Sequence, residues 1–155
     1  MPAEENRALA RRSWEEVVNR KDLAAIEECY APDFVWHEPD RDVRGHEQAG
    51  RSVSAFFEGF PGINVTVEDA MAEGDRAVTR YTMRGTHRGE TEEFGPPTDK
   101  RMELEGITIH RFGGGKMVEE WESYDNLGVM QQLGLAPEAQ QAAGGWPPTA
   151  PGRGR

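Results

Sequence analysis

The sequence predicts an α+β domain, and three observations carry that prediction. Apolar residues recur at helical spacing through the first sixty or so positions, and the period changes to two from Ile63 onward. Glycine-rich turns then join the later segments as hairpins. Helices followed by a meander of long antiparallel strands argue against a parallel α/β sheet.

The elements follow in order. Ala10, Trp14, Val17 and Val18 form one apolar stripe over residues 3–20. Leu23, Ile26 and Tyr30 form another over 22–30, with Asp22 placed to cap it. Ala31-Pro32-Asp33 ends that helix, and Phe34 to Pro39 reads as a brief strand before a loop through Asp40 and Arg41. After Gly45 a third helix presents Val53, Phe56, Phe57 and Phe60 at i, i+3, i+4 and i+7, and Pro61-Gly62 closes it.

Ile63, Val65 and Val67 alternate with Asn64, Thr66 and Glu68, the pattern of a half-buried strand. Glu73-Gly74-Asp75-Arg76 turns the chain into a strand from Ala77 to His87. Phe112-Gly113-Gly114-Gly115-Lys116 joins strands at 101–112 and 116–125. Within 101–112 the apolar parity moves from Met102 and Leu104 to Ile107 and Ile109, which predicts a bulge near Glu105-Gly106. The segment 88–100 is a long loop at the His87 end of the sheet and reads as a lid. One domain over residues 1–135 is expected. The tail at 136–155, rich in Gly, Pro, Ala and Gln, is predicted to be disordered.

Composition narrows the function. The 155 residues carry 18 basic and 28 acidic side chains, a formal net charge of -10 that disfavours nonspecific binding to nucleic acid or an anionic membrane. A small-molecule or protein partner is expected. The N-terminus lacks the basic and apolar segments of a signal peptide, so a cytoplasmic protein is expected. Cys29, the single cysteine, sits in an apolar-periodic helix and reads as a buried, inert thiol. His37, His87, His110 and Cys29 lack the tight spacing of a zinc site, and no metal is expected.

The candidate chemistry lies where the last strand runs into a short helix. Strand alternation puts Met117, Glu119, Trp121, Ser123 and Asp125 on one face, a large aromatic among carboxylates, and Val118, Glu120, Glu122 and Tyr124 on the other. Asp125 has two readings. It is a carboxylate acid/base on a pocket wall, or it caps the helix opened by Asn126-Leu127-Gly128. His87 at a strand end is suited to polarise a carbonyl or shuttle a proton. Trp36 and His37 are adjacent on a strand and face opposite sides, as do Arg80 and His87.

The ordered string Tyr30-Ala31-Pro32-Asp33-Phe34, His37-Glu38-Pro39, Gly85-Thr86-His87-Arg88-Gly89, Gly106-Ile107, Gly115-Lys116 and Glu119-Glu120-Trp121 continues through Asp125 and Leu127-Gly128 to Gln131-Gln132-Leu133-Gly134. Over residues 5–135 it resembles the SnoaL-like polyketide cyclases of the nuclear transport factor 2-like superfamily. That resemblance implies a cone, a strongly curved antiparallel sheet closed by N-terminal helices around an apolar pocket. It implies a cofactor-independent cyclase that closes a hydrophobic, polyketide-like metabolite by an aldol-type step. Asp125 and His87 would be catalytic, and Trp14, Trp36, His37, Arg80 and Trp121 would bind substrate. It also implies a homodimer. Epoxide hydrolysis, isomerisation and noncatalytic small-molecule binding are the alternatives the same pocket can host. Glu120 and Tyr124 stand where many relatives carry histidine and tryptophan.

Overall fold

The computed structural model describes residues 2–137. The tail read as disordered falls, from residue 138 on, outside the described residues. Helix α1 (Pro2–Ser13) runs on into a π-helical stretch, Trp14–Asn19, where a single continuous helix was expected. Wide turns of this kind re-aim side chains. Here the indole of Trp14 is turned onto the sheet, and its Nε1 donates to Thr79 Oγ1 at 3.0 Å. Asn19 then ties the end of the stretch down, because its side chain both donates to Val65 O and accepts from Val65 N. Helix α2 (Ala24–Cys29) follows, with Asp22 Oδ1 accepting from Ala24 N as its sequence position suggests.

Strand β1 (Tyr30–His37) begins directly after α2 and pairs with β2 (Asp42–Arg44), a short strand the sequence did not announce. Helix α3 (Gly45–Gly59) precedes β3 (Asn64–Glu73), β4 (Arg76–Thr86), β5 (Arg101–Gly113) and β6 (Lys116–Tyr124). Helix α4 (Asn126–Gln132) closes the described chain. The six strands form one sheet in the order β2-β1-β6-β5-β4-β3. Every neighbouring pair is antiparallel except β1 and β6, which run parallel, so the sheet is mixed. Its concave side is closed by the first helix and by α3, whose Val53, Phe56, Phe57 and Phe60 pack inward as their spacing dictates. Phe60 is fully buried, which stabilises by roughly 1.5–3 kcal/mol, and the other three are partly buried.

Two strand readings are corrected. No bulge interrupts β5, since β4 and β5 pair in unbroken register from Arg76↔Arg111 to Thr86↔Arg101. Its inner face is Met102, Leu104, Gly106, Thr108, His110 and Phe112, while Ile107 and Ile109 are 48% and 37% exposed on the outer face. Polar side chains buried inside and apolar ones left outside had mimicked a change of parity. The bulge lies instead in β6. Arg111 pairs with Glu119 and Phe112 with Met117, so Val118 is the extra residue. One extra residue reverses which side chains face the core beyond it. Met117 is inward, but from there Glu120, Glu122 and Tyr124 face the interior, while Glu119, Trp121 and Ser123 face out.

Gly106 is required by a close approach. It pairs with Tyr81, and a Cβ at this position would sit 2.3 Å from the Tyr81 hydroxyl oxygen. Gly106→Ala is therefore expected to displace Tyr81 and lower unfolding free energy by about 1–3 kcal/mol in urea denaturation.

Candidate functional site

The site grows from the inner face of β6. Glu122 is half-buried, and each of its carboxylate oxygens is held by one donor. The Tyr81 hydroxyl donates to Oε1, and Trp36 Nε1 donates to Oε2 at 2.8 Å. Burial pushes the carboxyl up to about 7, because the two hydrogen bonds support the anion less than desolvation penalises it. The Tyr81 and Tyr124 hydroxyls are pushed up by burial and by the negative charge of Glu122.

Glu122 lines a cavity of about 110 Å³. Trp14, Trp36, Phe56, Phe57, Phe94 and Tyr124 supply its aromatic walls, and Met83, Met102 and Leu104 its floor. Glu38, Arg41 and Glu93 stand at its polar side, with Arg41 Nε donating to Glu38 Oε2 at 2.5 Å. A smaller chamber of about 70 Å³ shares Trp14, Trp36 and Glu122 with the first and reaches Tyr30 and Glu120. Wider grooves exist on the surface, one of about 670 Å³ along Pro61, Arg84 and Gln132. They are open to solvent and lack aromatic walls, so the aromatic cavity is the candidate site.

Behind the inner chamber lies a buried polar chain. Trp14 Nε1 donates to Thr79 Oγ1, which meets His110 Nε2 at 2.8 Å, and His110 Nδ1 meets Glu120 Oε1 at 2.6 Å. Thr79, His110 and Glu120 are all buried, and a paired carboxylate is what makes that burial tolerable. The chain fixes the Trp14 wall from behind.

The expected site residues divide sharply. Trp14 and Trp36 line the cavity, and Trp36 touches the carboxylate itself. His37 points the other way, as adjacency on a strand requires. It bridges Asp42 and Glu119 at 2.8 Å each and stacks on Trp121, and those carboxylates push its pKa up. Trp121 therefore lies on the outer face, with the Arg76 guanidinium 5.3 Å above its ring. Arg80 is outside too, paired with Asp69 at 2.7 Å. His87 is fully buried behind Phe94 rather than on the cavity wall.

Asp125 is corrected from pocket wall to helix cap. Its Oδ1 accepts from Gly128 N at 2.8 Å, its side chain is exposed, and it borders an open groove with Glu103, Glu105 and Gln132. Glu122, Tyr81, His110 and Glu120 were the residues missed. Of these, only Tyr81 had a signal, the missing side chain at Gly106 opposite it on β5. Among the described residues no three His, Cys, Asp or Glu side chains cluster as a metal site.

A curved mixed sheet wrapped by helices around a cavity defines a nuclear transport factor 2-like domain. The chain belongs to the SnoaL-like polyketide cyclase family, whose model matches residues 8–133. Among solved structures it is similar to a protein of Jannaschia sp. CCS1 assigned as a SnoaL-like polyketide cyclase, at 26% identity and TM-score 0.79 over 87% of this chain and 95% of that one. AclR of Streptomyces galilaeus, assigned as a hydroxylase, matches at 29% identity and TM-score 0.78 over 90% and 91%. IdmH of Streptomyces antibioticus, assigned as a polyketide cyclase, matches at 29% identity and TM-score 0.70 over 82% and 96%. Comparison with curated proteins returned no match. Among the described residues no helix is long and apolar enough to cross a membrane.

Asp125 caps helix α4. Asp125→Ala is expected to cost about 1 kcal/mol in chemical denaturation while leaving ligand binding in the cavity unchanged.

Proposed function

We propose that the protein is a cofactor-independent cyclase acting on a hydrophobic, polyketide-like metabolite, with Glu122 as its general acid/base. The observation that carries this reading is a carboxyl held by Tyr81 and Trp36 on the wall of an aromatic cavity, where burial pushes it up to about 7. An intramolecular aldol closure needs one proton removed alpha to a carbonyl and one delivered to the alkoxide that forms. At neutral pH Glu122 is poised to do both. The carboxylate takes the C–H proton, the enolate carbon attacks the second carbonyl carbon, and the new alkoxide recovers the proton from the carboxylic acid. The net reaction is an isomerisation, so no redox or group-transfer cofactor enters. Tyr81 and Trp36 hold the carboxylate in place and leave its remaining lone pairs to the cavity.

The 70 Å³ chamber beside Glu120 and Glu122 supports one second reading, opening of an epoxide by water held there. Heavy oxygen from labelled water is built into the product as a new hydroxyl only in that case.

Glu122→Gln is expected to lower kcat by about 10²–10⁴ on whichever polyketide-like substrate the wild type cyclises, and full turnover in the variant contradicts the proposal. As a base, Glu122 acts deprotonated, so kcat/KM should rise with pH through about 7. Stability moves the opposite way. The folded pKa lies above the ordinary 4.5, so the folded state binds the extra proton between those values. The Glu122 contribution is fully present below 4.5 and is lost as pH rises through about 7, a slope that Glu122→Gln should remove.

A further inference from the structure

His87 and Phe94 carry an arrangement that the acid/base reading does not use. The His87 imidazole is 0% exposed. The backbone N–H of Thr98 points at Nδ1 from 3.3 Å and the Thr98 hydroxyl lies 3.2 Å from the same atom, so with Nδ1 accepting from the backbone the ring N–H sits on Nε2. That Nε2 has no partner among the described residues. A buried donor without an acceptor is disfavoured, and such groups in a native fold call for a reason.

Phe60 stacks on the imidazole at 5.4 Å, and Phe94 packs against it edge to face. The Phe94 ring lies 5.9 Å from the imidazole and 5.5 Å from Phe60, and it lines the cavity that His87 itself does not reach. The turn that carries Phe94 is bonded only to itself. Thr91 and Gly95 exchange backbone hydrogen bonds, and Phe94 N donates to Thr91 Oγ1. Among the described residues, none of the hydrogen bonds made by residues 90–97 reaches beyond that turn, so the Phe94 side chain is its principal anchor in the core. The cavity behind it, about 110 Å³, is well short of the ~300–1,000 Å³ that organic ligands occupy.

We propose that Phe94 is a displaceable plug that sets the size of ligand the cavity admits, and that His87 Nε2–H, uncovered when it moves, donates to a carbonyl oxygen of that ligand. The proposal rests on the cavity being the ligand site and is independent of what Glu122 does there. A ligand shifts the equilibrium toward the open form only if it binds that form better. Here it does so twice, by filling the space Phe94 leaves and by giving Nε2–H its acceptor. A carbonyl-bearing aromatic is thus preferred to a hydrocarbon of the same shape.

Calorimetric titration with an acetylnaphthalene and an isopropylnaphthalene tests both halves. Phe94→Ala should bind each probe about 10-fold or more tightly than the wild type, because the ligand no longer has to displace a buried phenyl. Phe94→Leu should act in the same direction by less, and it serves if the alanine variant does not fold. His87→Leu should erase the preference for the ketone while leaving the hydrocarbon Kd in place. Unchanged affinities in both Phe94 variants, or a ketone preference that survives His87→Leu, overturns the proposal. Neither probe is a substrate, so failure here leaves the Glu122 proposal standing, and full turnover in Glu122→Gln leaves the plug standing.

Discussion

The burial of one carboxylate between a tyrosine hydroxyl and an indole N–H organises this molecule. Glu122 can be tolerated inside because Tyr81 and Trp36 each supply a donor, and its carboxyl is pushed up because two donors do not fully replace water. Several features of the fold serve that one contact. The missing side chain at Gly106 lets Tyr81 reach across the sheet. The bulge at Val118 turns Glu122 inward. The parallel pairing of β1 with β6 sets Trp36 opposite Glu120, close enough for its indole to reach the next inward carboxylate.

A second buried carboxylate makes the interior more acidic than a hydrophobic core normally permits. Glu120 is matched by His110, and through Thr79 that pair is joined to Trp14, the residue that walls both chambers. The two carboxylates thus have different environments. Glu120 is hydrogen-bonded away from the cavity by a histidine, whereas Glu122 faces it and is raised toward neutrality, in part by the charge of Glu120. Adjacent inward positions on one strand can in this way hold a structural acid and a reactive one. The polar inner face of β5 follows from the same arrangement, since Thr108 and His110 occupy positions that an ordinary sheet would fill with aliphatic side chains.

Much of the architecture was legible in the sequence because it follows from periodicity. The Val53, Phe56, Phe57, Phe60 stripe, the glycine hairpin before Lys116 and the opposed faces of Trp36 and His37 each depend on local spacing alone. The site itself was not legible in the same way, and for a physical reason. Reading β6 by simple alternation puts Trp121 and Asp125 inside, but a single inserted residue at Val118 reverses the faces, and nothing in Met117-Val118-Glu119 announces it. Ile107 and Ile109 suggested a bulge in β5 that is not there, because strand parity was inferred from hydrophobicity where the inner face is polar. Asp125 satisfied two local rules at once, strand-end carboxylate and helix cap, and tertiary structure chose the cap. Family resemblance carried the fold correctly, and the cavity wall holds Glu122, three residues before Asp125 along the chain.

The ionisation of Glu122 is where the account is most exposed. Carbon-detected NMR titration of the side-chain carboxyl, assigned by comparison with Glu122→Gln, follows that group directly and needs no substrate. A midpoint near 7 is the predicted result. A midpoint at the ordinary carboxylate value of about 4.3 would mean that the cavity does not desolvate Glu122, and would contradict its role as the acid/base.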